Sequence, residues 1–417
     1  MRAIDRRSFL TLAAGALVAP AVPASQKPPD RDAIGQSAAA QTRAVDPAAA
    51  ARWSDAIIVN ALGGLENPNP VSGPAVHQAS RPPAGATQAN PTPTSDEDPF
   101  DARSLREAHQ SGLTAVNLTI GYVAGDMEPF ELTVRDIARL DARIRAEPDH
   151  LLKVYTAADI LRAKAGRRIG VIFGFQNAAM LGQDATRADV FAGLGVRVIQ
   201  LTYNPANQLG DGSMAPENRG LTPFGHEVIG RLNANRVMVD LSHSGAHTCL
   251  EAARTSKQPI SINHTGCRAL VDLPRNKTDA ELRLVASKGG FVGIYFMPFL
   301  NRRGHATAAD VVAHIEHAVN VCGEDHVGIG TDGPVTAIDD LEGYMAVLAR
   351  EIAARRKAGV SAPGERPDTL PFVRDLRGVS QFYDLAGRLR SRGHSRSRIE
   401  KILGRNFLRY AKEIWGG

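Results

Sequence analysis

The sequence predicts an α/β fold, a closed TIM-like (β/α)8 barrel, on three observations. Eight short runs rich in Val and Ile recur along the chain, at 57–61, 114–119, 170–175, 198–202, 237–241, 260–263, 291–296 and 327–330. Amphipathic helical patterns lie between most of them, at 132–147, 246–256 and 307–322 for example. The runs are apolar almost throughout, as parallel strands covered on both faces are. Eight such repeats close a barrel. An open doubly wound sheet is the alternative, and it calls for a Gly-rich phosphate loop after the first strand. The stretch there reads Leu62-Gly63-Gly64-Leu65-Glu66-Asn67-Pro68, which lacks that pattern.

Taken in order, the chain opens with an address. Arg6-Arg7 is followed by Phe9-Leu10, an apolar run from Leu12 to Val18, and small-residue sites at Ala19-Pro20-Ala21 and Val22-Pro23-Ala24. That order predicts a twin-arginine signal peptide over 1–24 and export to the periplasm. The run is too short for a transmembrane helix, which needs roughly 20 apolar residues. No membrane segment is expected after signal removal. Residues 25–52 are polar and Ala-rich and read as a flexible lead-in. The barrel domain is expected over 53–417. Residues 66–100 are dense in Pro, Ala, Ser, Thr and Asn and read as a long loop above the first strand, on the face where such barrels carry their sites. A second break lies at 359–370, and two C-terminal helices are expected at 379–391 and 395–414.

Composition narrows the function classes. The 417 residues are 43% apolar and 22% charged, enough for a large core. Three cysteines exclude a disulfide scaffold, and Cys249, Cys267 and Cys322 read as small buried hydrophobes. The net charge is +5 with only 5% aromatics, so a nucleic-acid surface is not expected.

The chemistry gathers at strand ends. The fifth run ends Asp240-Leu241-Ser242-His243, the sixth ends Asn263-His264, and the eighth ends Thr331-Asp332. Two imidazoles on neighbouring strands suit a zinc ion, and a carboxylate on the same rim can take a proton from bound water. His314 and His317 stand three apart on a helix expected in the outer ring, and His247 follows His243 by one helical turn. All three are read as structural.

These motifs, with Leu273-Pro274-Arg275-Asn276-Lys277, Gly289-Gly290-Phe291 and Ile329-Gly330-Thr331-Asp332, resemble the membrane (renal) dipeptidase family of zinc metallopeptidases. So do Leu201-Thr202-Tyr203-Asn204 with Asn207, and Leu403-Gly404-Arg405-Asn406 near the C-terminal side. The resemblance spans roughly residues 55–415. It implies an amidohydrolase-like, metal-dependent hydrolase barrel that cleaves dipeptides with two zinc ions bridged by a glutamate. Carried over by position, His243 and His264 match two zinc ligands. Arg275 matches the arginine that holds the dipeptide carboxylate, and Asp332 the aspartate that handles the proton of water. Asn207 falls in the substrate-binding stretch.

Three positions depart from the pattern. Val59-Asn60-Ala61-Leu62 stands where a His-x-Asp pair binds the first zinc. Gln176 takes the place of the bridging glutamate, and Tyr203 that of a histidine that steadies the oxyanion. A phenol can still donate a hydrogen bond there. The expected cofactor is therefore one Zn2+ on His243, His264 and Gln176, rather than two. The reading is a dipeptidase-like hydrolase of small peptide-like substrates. The alternatives are a non-catalytic binder of a peptide or small carboxylate, and a metal-free enzyme with histidine as base. A homodimer is a further open expectation, since large barrels commonly pair.

Overall fold

A computed structural model describes residues 44–69, 100–124, 127–357, 364–366 and 369–416. The expected signal peptide, most of the 66–100 loop and much of the 359–370 break lie outside the described residues.

Nine parallel strands are present among the described residues: β1 (Val59–Gly63), β2 (Ala115–Thr119), β3 (Leu151–Lys153), β4 (Ile169–Phe175), β5 (Val196–Gln200), β6 (Met238–Asp240), β7 (Ser261–Thr265), β8 (Phe291–Ile294) and β9 (Val327–Ile329). Eight of them run in the order β1-β2-β4-β5-β6-β7-β8-β9. These are the eight runs the sequence marks, with ends shifted by a few residues. The ninth, β3, lies off this path and pairs with the first half of β4. Three residues give it too little periodicity to be read from sequence.

Alternate strand residues face opposite ways. Val59, Ala115, Ile172, Val198, Met238 and Phe291 form one cluster with Phe407, Tyr410, Ile414 and Trp415 of the helix Asn406–Trp415. These aromatics plug one end of the barrel. The residues between them, such as Ile58, Val116, Val171, Ile199, Val239 and Ile262, join the larger core beneath the outer helices. A π-helical turn at Lys401–Arg405 precedes the plug, and Gly404 within it lies against the backbone of Ile57 and Val59. A Cβ at Gly404 would sit 2.4 Å from the Ile57 oxygen, so the turn approaches β1 this closely only because the residue is glycine.

At the other end the barrel closes by a seam between β9 and β1. The Asp332 amide donates to the Leu62 oxygen at 2.9 Å, and the Gly64 amide to Gly333 at 3.2 Å. The Asn60 side chain locks this seam from within. Its Nδ2 donates to Thr331 Oγ1 at 2.7 Å, and its Oδ1 accepts from the Thr331 amide at 2.8 Å.

The end of the expected lead-in is ordered. Pro47–Arg52 forms a helix because Asp46 caps it and Pro47 occupies its first turn. Val45, Ala49 and Ala50 pack on the core. The C-terminal helices lie at Gln381–Ser391 and, interrupted by the π turn, Arg396–Glu400 and Asn406–Trp415. A further helix, Leu341–Lys357, follows β9 and has only a weak apolar face. No helix of the described residues is long and apolar enough to cross a membrane.

Candidate active site

The site begins with a buried carboxylate on β6. Asp240 Oδ1 accepts from the Ser242 amide at 3.0 Å, the Ser242 hydroxyl at 2.6 Å and the Asn263 amide at 2.9 Å. The Ser242 hydroxyl in turn accepts from the His264 amide at 3.0 Å. One carboxylate thus ties the end of β6 to β7 and sets both histidines. Burial pushes its pKa up, and these hydrogen bonds oppose the rise.

His243 and His264 face each other with their Nε2 atoms 2.9 Å apart. His243 Nδ1 donates to Asn204 Oδ1 at 2.7 Å, which leaves its Nε2 as an acceptor. That lone pair receives His264 Nε2–H and, at 3.0 Å, Arg275 Nη2. Both rings are held well below the usual histidine range, by burial first and then by the Arg275 and Lys277 charges. They are neutral imidazoles. Arg275 is itself buried and also donates to the Ser242 carbonyl. Lys277, on the same loop, donates to the Ser244 carbonyl and faces Glu281 at 3.5 Å.

A cavity of about 460 Å³ opens above, lined among others by Glu66, Gln176, Tyr203, His243, Arg275 and Asp332. That volume suits a small-molecule ligand. Asp332 adopts φ +61°, a left-handed conformation that is uncommon outside glycine and that aspartate and asparagine tolerate best among the other residues. The seam hydrogen bond from its amide holds it there. Burial raises its pKa to about 6, against the pull of Arg275 and of a 3.5 Å contact from Gln176. An acid group near neutrality suits proton transfer. Glu66 also lines the cavity, with its side chain exposed there. Tyr203 stacks on His243, with ring centroids 4.3 Å apart.

The two-zinc centre that the resemblance implies is not assembled by these residues. Asn60 spends its amide on Thr331, Leu62 has no donor, and Gln176 is neutral where a carboxylate must compensate two dications. Among the described residues no group of three His, Cys, Asp or Glu side chains converges as a metal site. What remains is the imidazole pair. Two nitrogens each about 2.0–2.1 Å from one ion stand roughly 2.9–3.4 Å apart, and 2.9 Å is the spacing found. An ion there would displace the hydrogen bonds that the His243 lone pair receives from His264 and Arg275, and the Arg275 charge opposes it.

The structure brings Gln176, Tyr203, His243, Arg275 and Asp332 to one cavity. His264 lies behind His243, fully buried. Asn207 is not on the wall. Its Nδ2 donates to Asn177 Oδ1 and to the Leu201 oxygen, and its Oδ1 accepts from the Leu209 amide. Its amide hydrogen bonds shape the loop after β5. His314 is structural, as read: Nδ1 accepts from the Cys267 amide at 2.8 Å, and Nε2 meets the Leu300 oxygen at 3.1 Å. Asp240, Asn204, Glu66 and Arg377 escaped the sequence reading. The Asp-Leu-Ser order of the first is a local cue, since an Asp commonly bonds the backbone two residues on.

Comparison with known proteins agrees with this arrangement. The model of the membrane dipeptidase family (peptidase family M19) matches residues 87–361, more than half of the chain. An uncharacterized protein in the pqqA 5′ region of Klebsiella pneumoniae is 27% identical over 70% of this chain and 99% of its own. Dipeptidase tcpJ of Claviceps purpurea is 26% identical over 68% of this chain, which spans 60% of that protein's length. The crystal structure of an amidohydrolase from Pseudomonas aeruginosa superposes with a TM-score of 0.71, at 28% identity, over 88% of this chain and 99% of that one. With the barrel and the family match in agreement, the chain belongs to the membrane dipeptidase family, peptidase family M19, whose members are metallo-dipeptidases.

Proposed function

We propose that the protein is an exported hydrolase that cleaves a dipeptide or a related small amide in the rim cavity. The observation that carries this reading is the convergence of Asp332, Arg275, His243 and Tyr203 on one wall. Export rests on the twin-arginine pattern at Arg6-Arg7.

Each side chain has a task its chemistry suits. Arg275 carries five N–H donors and gives two contacts to Ser242 and His243, so others remain for a substrate carboxylate. Asp332 accepts a proton from the attacking water and passes it to the leaving amine. Tyr203 donates its hydroxyl to the oxygen that gains charge. His264 and Asn204 hold the His243 ring in place. A single zinc ion on His243 and His264, with the Gln176 amide oxygen as a neutral third donor, would polarise the scissile carbonyl when bound.

A second reading is a binding protein without turnover. The neutral Asn60 and Gln176 favour it. Zinc content of the mature protein, purified without a metal-affinity tag, separates the two beside a screen of dipeptides. About one zinc per chain, lost in His243→Ala, together with turnover supports the hydrolase. No zinc after soaking and no turnover leaves the binder. Turnover that survives a chelator points to a metal-free enzyme.

A further inference from the structure

The cavity wall carries a second arginine that the hydrolase reading does not use. Arg377 lies after the 359–370 break, outside the stretch matched by the family model, and lines the same cavity as Arg275 and Asp332. Its Nε, Nη1 and Nη2 are each shut off from water, and none has a hydrogen-bond partner among the described residues. The neighbour beneath it is aromatic, with the guanidinium carbon 4.4 Å from the centre of the Phe372 ring. Burial draws its pKa down to about 10, so the group stays charged at neutral pH without an anion beside it. The third wall arginine differs. Arg139 is ion-paired to Asp136 at 3.0 Å. Arg275, like Arg377, meets no carboxylate in an ion pair, only a carbonyl and an imidazole.

A buried guanidinium with no partner is costly, and a ligand that completes it removes the cost. The planar fork of arginine matches a carboxylate in a bidentate way, and its side-chain torsions let it turn from the Phe372 face toward one. Two arginines without a carboxylate partner line one cavity, and a ligand with two carboxylates satisfies both.

We propose that Arg377 is a specificity residue that binds a second carboxylate of the substrate, so that the preferred ligands carry two carboxylates, as dipeptides containing Asp or Glu do. This rests on the hydrolase reading for its substrate class, but its own readout is binding. Arg275 takes one carboxylate and Arg377 the other, while the scissile amide lies between them near Asp332.

The test compares L-Ala-D-Ala with L-Ala-D-Glu and L-Asp-D-Ala. Calorimetric binding and turnover are measured on the full-length mature protein and on Arg377→Gln and Arg377→Lys. Thermal melting of each variant checks that it folds. Wild type is expected to bind at least one dicarboxylate peptide about 10- to 100-fold more tightly than L-Ala-D-Ala. Arg377→Gln should bring that ratio close to one, and Arg377→Lys should restore part of it. Equal affinity of wild type for all three peptides overturns the proposal, as does a preference that Arg377→Gln leaves intact. If Arg377→Gln fails to fold, the wild-type ratio and Arg377→Lys decide. An Arg377-dependent preference for dicarboxylates without any turnover upholds the subsite and sinks the hydrolase reading. Turnover of L-Ala-D-Ala with no such preference does the reverse.

Discussion

The two sides of the barrel rim are built from different chemistry. On the β6–β7 side, one buried carboxylate orders two neutral imidazoles, and two buried cations, Arg275 and Lys277, stand against them. On the β9–β1 side, the Asn60 amide and Thr331 join the strands by neutral hydrogen bonds. One side is a prepared chemical site. The other is a closure. The contrast shows that a polar side chain on a barrel strand can serve the fold or the chemistry, and that Asn60 of β1 here serves the fold. Asp332 stands where the two meet, carried by the closure and turned toward the site.

The largest expected effect is at that meeting point. Asp332→Asn keeps the shape and removes the base, so dipeptide turnover should fall by about 10²–10⁴-fold with little change in KM. A fall in binding alone would place Asp332 outside the chemistry.

Next is the acid side of the stability curve. His314 buttresses the loop after β7 and is buried neutral, with its pKa lowered from 6.5 to about 4. The unfolded chain binds that proton first as pH falls. The stability that His314 contributes is therefore full above pH 6.5 and lost progressively down to about pH 4, by roughly 3 kcal/mol. Urea melts of wild type and His314→Gln across that window should differ in slope, with the variant flatter. Parallel curves would remove His314 from the acid response.

A smaller effect is expected beneath the imidazoles. Asp240→Ala releases Ser242 and Asn263, and kcat should drop about 10- to 100-fold, as loss of an orienting partner commonly costs. Asp240→Asn keeps an acceptor oxygen and should recover much of it. An equal loss in both variants would mean that the charge matters rather than the positioning.

The smallest effect belongs to the seam. Asn60→Ala removes two hydrogen bonds and should lower stability by roughly 1–2 kcal/mol in a denaturant melt, while the His243–His264 side keeps its order. A loss of turnover larger than that of Asp240→Ala would erase the distinction between the two sides.

Much of this was legible in the chain. Eight Val- and Ile-rich runs mark the eight barrel strands, because a strand buried on both faces must be apolar throughout. His243, His264 and Asp332 stand out because a polar residue at the end of such a run has few structural reasons to be there. What was not legible depends on distant pairing. Asn60 and Thr331 lie 271 residues apart. Nothing local marks an asparagine that closes a barrel. Arg377 lies beyond a break in an Arg-rich stretch, and only the cavity distinguishes it from its solvated neighbours. Asn207 is marked by its motif, and what only the structure adds is that its amide hydrogen-bonds within and beside the loop after β5.

The aromatic plug carries a consequence for how the chain comes to be folded. Val59 and Ala61 of β1 rest with Phe407, Tyr410 and Trp415, about 350 residues further along. At a synthesis rate of 5–20 residues per second, the first strand waits roughly 20–70 s for its floor. The β9 seam is almost as late. The nascent barrel must therefore carry an open apolar interior and an unpaired strand edge through most of its translation. Exposed apolar surface and an unpaired edge make this the stage at which the chain is most prone to aggregate.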